Sequence, residues 1–211
     1  MTLPAPAPRR SLHERRLEMH GYAREDGLFD IEGHLTDRKP FDFQVTFGPL
    51  RAAGVAIHEM WVRLTIDREL VVREVAASSE HAPYRDCQGA PATLSALVGL
   101  RIGGGWKREI KERLGGARSC THLVEMLAPM GTTAIQALVT ELREIALPVQ
   151  ASGRPRQIDT CFAMASQRRA AALRWPDHYT GPRDATGRAV DAAGRPFEAN
   201  EPGLEGSLPP R

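Results

Sequence analysis

The chain has 211 residues, 42% hydrophobic and 26% charged, enough to bury a real core in one domain with a tail. A net charge of +2 is too small to favour nucleic acid or a membrane surface on electrostatic grounds. No apolar run approaches a bilayer span and the N-terminus carries no apolar signal core, so a cytoplasmic protein is expected, with no membrane and no nucleic-acid partner.

Residues 1–20 are expected to form an N-terminal arm. The first eleven are rich in Pro and Ala and read as mobile. Ser11–His20 reads either as a short helix, with Ser11 and Glu14 in a capping box, or as extended chain. A single domain over 21–175 follows. Leu28–Asp37 alternates partly behind the turn residues Asp26-Gly27 and predicts a strand. Asp37–Pro40 is a turn, and Phe41–Phe47 alternates throughout, which predicts a half-buried or edge strand. Asp26, Asp30, Glu32 and Asp37 form a candidate acid cluster, but solvated strand faces and turns account for them.

The strongest strand runs from Ile57 to Asp67, with Met60, Val62, Leu64 and Ile66 on one face and Trp61, Arg63 and Thr65 on the other. His58 shares the apolar face. Asp67–Glu69 is a turn and Leu70–Ala77 returns as the hairpin partner. His58-Glu59 opens like the zinc-protease helix motif, but Val62 stands where the second histidine belongs, so that reading is rejected.

After Cys87 the period switches. Leu94, Leu97 and Val98 predict a helix ended by Gly99, and Trp106, Ile110 and Leu114 a second one stopped by Gly115-Gly116. Gly103–Gly105 lacks the ending of a phosphate loop and reads as a link. Ser119 offers an N-cap for a third helix carrying Leu123, Leu127, Leu138 and Ile145, interrupted at Pro129 or Gly131 and ended by Pro148. Gln157–Met164 reads as a short strand or turn. Residues 176–211 are expected as an extended Gly/Pro-rich tail, in which Asp184–Arg188 is echoed by Asp191–Arg195; such a tail suits a homo-oligomer by wrapping a neighbour.

Three cysteines do not close a disulfide framework, and each alone fits a small buried thiol. Two of them fall in the segment bounded by His58 and His122. Cys87 lies at the mouth of a helix, and Cys120 lies in a first helical turn, where the dipole and free N–H groups favour a thiolate. Residues two apart on a helix diverge, so Cys120 and His122 need not share an ion.

Gly21-Tyr22, Arg24, Asp26–Leu28, Asp30–Gly33, His58, Met60, Val62–Asp67, Cys87, Leu97–Gly99, Cys120–Leu123 and Asp159–Cys161, in this order, resemble the bacterial domain-of-unknown-function family 2889 over about the first 165 residues. Membership implies no particular activity. The chain is more distantly similar to NifU-like iron–sulfur scaffold proteins, in which one ligand cysteine precedes a strand and two others open later helices. His58, Cys87 and Cys120 fall in that order. His58 replaces the first cysteine and Met60 the scaffold's aspartate, which speaks against sulfur transfer and keeps a three-ligand metal site.

The expected fold is therefore α+β, a small antiparallel sheet from about Leu28 to Ala77 packed on helices over 91–146, with a NifU-like core. His58, Cys87 and Cys120 are the expected ligands of zinc or iron, with Glu59, His122 or Asp86 as proton-transfer partner. This predicts a metal-dependent hydrolase- or lyase-type enzyme acting on a small organic molecule. The alternatives are a metal or iron–sulfur carrier loaded by a metal donor, structural zinc only, or no metal with Cys120 as a buried or redox thiol.

Overall fold

The computed structural model describes residues 3–46, 48–141 and 152–198. The chain forms two compact units, residues 1–143 and 144–211. Among the described residues no helix is long and apolar enough to cross a membrane.

The first unit is α+β. Strands β1 (Glu14–Ala23), β2 (Phe29–Arg38), β5 (Ala56–Ile66) and β6 (Val72–His81) make a four-stranded antiparallel sheet in the order β1-β2-β5-β6. The two-residue strands β3 (Phe43–Gln44) and β4 (Leu50–Arg51) pair separately. Helices α1 (Trp106–Leu114) and α2 (Thr121–Glu141) follow.

The alternation in β2 and β5 explains the layering. Phe29, Ile31 and Leu35 of β2 and Met60, Val62, Leu64 and Ile66 of β5 are buried on one face, which α2 covers with Leu123, Met126, Leu127 and Met130. Gly33 lets the helix approach closely: a Cβ there would lie 3.0 Å from the side chains of Met19, Met126 and Met130. Trp106, Ile110 and Leu114 form the buried stripe of α1, and the Trp106 indole donates to the Leu127 carbonyl at 2.9 Å. The hairpin between β5 and β6 is held by Asp67, whose Oδ1 accepts from the backbone of Glu69 and Val71.

Several expectations need correction. Residues 14–20 are extended and not helical: Glu14 through Ala23 pair with Arg38 through Phe29 as an edge strand, which satisfies the backbone groups on the side facing β2. The Phe41–Phe47 alternation yields only the short β3, because Val45 already turns back, accepting from Gly48 N at 2.9 Å. Residues Pro91–Leu97 form a 3₁₀ turn and not an α-helix, and the three-residue spacing of Leu94 and Leu97 suits the three-residue period equally well. Pro129 lies inside an unbroken α2. Cys120 precedes that helix as its N-cap, its carbonyl accepting from Val124 N at 3.0 Å, while Ser119 Oγ instead meets Thr93 Oγ1 at 2.6 Å. Pro148 lies outside the described residues.

The second unit contains helix α3 (Arg169–Arg174) and a buried group of Ala171, Ala172 and Tyr179. The echoed tail sequences are one turn made twice. Asp184 Oδ1 accepts from the backbone of Thr186 and Arg188, and Asp191 Oδ1 from Ala193 and Arg195. Gly187 and Gly194 take the positive φ values of 82° and 77° that close these turns.

Candidate metal centre

One end of the covered sheet face is polar. The register sets Arg15 of β1 opposite Asp37 of β2, and Asp37 opposite His58 of β5. By the period of two, Asp37 continues the Phe29–Ile31–Gly33–Leu35 row, so its carboxylate enters the layer beneath α2 and is 1% exposed. The first turn of α2 brings His122 over the same end.

Asp37 is the hub. Its Oδ1 accepts from Arg15 Nε at 2.8 Å and lies 2.9 Å from His13 Nε2; its Oδ2 accepts from Arg15 Nη2 at 2.8 Å and lies 3.0 Å from His58 Nδ1. His122 Nε2 stands 3.9 Å from the same Oδ2. One ligand atom each from Asp37, His58 and His122 falls within 4.8 Å of the other two. The two imidazoles lie face to face, 3.8 Å between centroids and tilted by 31°.

The electrostatics suit this packing. Burial pushes the Asp37 carboxyl up, but hydrogen bonds from Arg15 and His13 and the nearby positive charge outweigh it and bring its pKa from 3.8 to about 2. His58 is lowered, by burial and then by the charge of His122, against the pull of Asp37. A neutral His58 with an anionic Asp37 is the protonation state that metal ligation requires. Cys120 lies just outside, Sγ at 3.8 Å from His122 Nδ1. Burial raises its thiol, but the His122 hydrogen bond and the N–H groups of Leu123 and His122 reverse this and leave it lowered.

Two imidazoles and a carboxylate are a donor set for zinc or ferrous iron with open coordination positions. Arg15 already offsets the Asp37 charge, so this group would hold a cation less tightly than one built on an unpaired carboxylate.

Of the residues expected from the sequence, His58 and His122 belong to this group. Cys120 is its neighbour through His122. Cys87 and Asp86 sit on the 3₁₀ turn Arg85–Gly89, and neither belongs to a ligand group found among the described residues. Of the expected trio His58, Cys87 and Cys120, His58 alone is in the group with Asp37 and His122. Glu59 is on the opposite sheet face, 3.0 Å from His81 Nδ1 and 3.5 Å from His34 Nε2. Sequence reasoning missed Asp37 as a member of the group, together with Arg15 and His13 beside it. The signal was the odd-numbered row from Phe29, which ends on an acid on the core face.

The model of the family described as "Protein of unknown function (DUF2889)" matches residues 13–136. The chain belongs to this family. The matched span runs from His13 to Gln136 within α2 and takes in Asp37, His58 and His122. Comparisons with curated proteins and with solved structures return no match, and the resemblance to NifU-like scaffolds finds no support there.

Proposed function

We propose that the protein binds one divalent transition metal, zinc or ferrous iron, through Asp37, His58 and His122, and works as a hydrolase- or lyase-type enzyme on a small organic substrate. The convergence of three ligand atoms within 4.8 Å, on a buried carboxylate, supports this reading most directly. A bound metal of this type acidifies a coordinated water or polarises a substrate carbonyl. The chain's own residues do the rest. His58 would hold the metal through Nδ1 as the neutral tautomer that carries its proton on Nε2. Arg15 fixes the carboxylate plane, and Cys120 accepts from His122 Nδ1, which orients the ring with Nε2 toward Asp37.

The test is metal content of protein purified without a tag, compared with Asp37→Asn and His122→Ala. One metal per chain, lost in both variants while the fold is retained, supports the centre. Metal-free protein that takes up neither zinc nor ferrous iron sinks it.

A second reading rests on a separate observation. Cys120 Sγ, His122 Nδ1 and Nε2, and Asp37 Oδ2 follow in series at 3.8 and 3.9 Å, the order of a nucleophile, base and carboxylate. Here Cys120 attacks the substrate and no metal is needed. A chelator that leaves activity intact while iodoacetamide abolishes it selects this reading.

A further inference from the structure

The sheet face turned away from α2 carries a second constructed feature. Register places His34 opposite Trp61 and Glu32 opposite Arg63 on one side, with Ser78 and Ala76 opposite the same two residues on the other. The His34 ring lies flat on one side of the Trp61 indole, with 3.7 Å between centroids and 8° between planes. His34 Nε2 is shut off from solvent without a hydrogen bond. The indole is therefore braced from one side, yet it remains 42% exposed. Its surroundings open into a cleft of about 260 Å³ lined by Glu32, Arg63, Ala76, Ala77 and Ser78.

His34 comes from the neighbouring strand β2, so the free face of the indole is turned the other way, across the sheet toward Ser78 of β6. A planar ring fits on that face, within the cleft that Arg63 borders at the edge of the indole. The chain does not fill that slot itself, because β6 supplies only Ala76 and Ser78 there. Arg63 is half exposed and meets Glu32 only at 3.6 Å, a pairing loose enough to yield to a ligand.

Charge narrows the ligand. The same face carries Glu14, Glu18, Asp30, Glu32, Glu59 and Glu74 against Arg16, Arg38 and Arg63, with Arg24 reaching Asp30. This field repels phosphates and favours N–H donors. The geometry points to a binding site for a planar amino-heteroaromatic ring of the purine or pteridine class, free of phosphate, stacked on the free face of Trp61 in the cleft that Arg63 and Glu32 border, with the Glu32 carboxylate as acceptor for its amino group. The site lies on the sheet face opposite the metal centre and does not depend on it.

2-Aminopurine riboside titrated into the full chain tests the site, because stacking on an indole quenches its fluorescence. Saturable quenching is expected. Trp61→Ala should weaken it about tenfold or more, the cost of one base–aromatic stack. Ser78→Leu, which fills the cleft and leaves the indole in place, should do the same, and His58→Ala should change nothing. Thermal melts of each variant separate lost binding from lost fold. Quenching that is absent at millimolar ligand, survives both cleft variants in folded protein, or tightens for the riboside triphosphate overturns the proposal.

Discussion

Arg15 and Asp37 are direct partners across β1 and β2, and the guanidinium meets both carboxylate oxygens at 2.8 Å. Its remaining nitrogen, Nη1, reaches Glu125 Oε2 on α2 at 2.5 Å, so one side chain ties the helix to the sheet and compensates a carboxylate that is 1% exposed. Removing it leaves that buried charge without its permanent cation, with only the imidazoles of His13 and His58 against it. Arg15→Ala should therefore lower the unfolding free energy in urea by about 3 kcal/mol. Arg15→Lys should recover only part of this, since an ammonium cannot reproduce the two-pronged geometry. Adding Asp37→Asn to Arg15→Ala should also recover part; if it recovers nothing, Arg15 acts through packing instead.

The same site sets a pH dependence. Asp37 is depressed in the folded chain, so its contribution is fully present above its ordinary value of 3.8 and is lost as pH falls through about 2. At about 1.4 kcal/mol per unit, the contribution is on the order of 2.5 kcal/mol. His58 is also depressed, so the unfolded chain takes up its proton first, and stability begins to fall as pH drops below 6.5. Both groups act in the same direction. The urea midpoint should decline in two stages on acidification, with the upper stage missing in His58→Gln and the lower one missing in Asp37→Asn.

The strong alternation of β5 and the helical stripes of α1 and α2 made most of the first unit legible. In each of them one face is buried against a single layer, so period alone identifies the core side. β1 was hidden because it is an edge strand, with Leu17 39% exposed and Arg15, Arg16 and His20 interspersed, which leaves it little apolar alternation. His58 was legible from the period of two. Asp37 was not, because an acid beside Arg38-Lys39-Pro40 reads as part of a turn, and its burial depends on Arg15, twenty-two positions earlier. The expectation for Cys87 rests on its place at a helix mouth and its order beside NifU-like scaffolds, and neither shows which other side chains a thiol on the turn Arg85–Gly89 will meet.

Gly33 controls how closely α2, and with it His122, sits on the sheet. Gly33→Val would drive its side chain into Met19, Met126 and Met130, each already 3.0 Å from a Cβ at that position. Methionines yield more readily than branched side chains, so the cost should be about 1–3 kcal/mol of stability and not loss of the fold. The displaced helix carries His122 away from Asp37. Metal affinity measured by competition with a chelator should fall together with stability, whereas a helix-surface change such as Ile135→Ala should leave both nearly unchanged.

The two carboxylates of β2 and β5 give the sharpest separation of ligand from bystander. Asp37 and Glu59 are each within 3.5 Å of two histidine nitrogens, so the sequence types and the contacts alone do not distinguish them. The faces do. Asp37 points into the layer under α2, where a third donor, His122, descends from the helix, while Glu59 points to the opposite face, where no group of three ligand atoms converges among the described residues. Asp37→Asn, His58→Ala and His122→Ala should therefore each weaken zinc binding by about a hundredfold or more, whereas Glu59→Gln and Cys87→Ser should leave it within about twofold. Direct titration with a competing chromogenic chelator measures all five. A Glu59→Gln loss as large as that of Asp37→Asn would move the centre to the other face of the sheet.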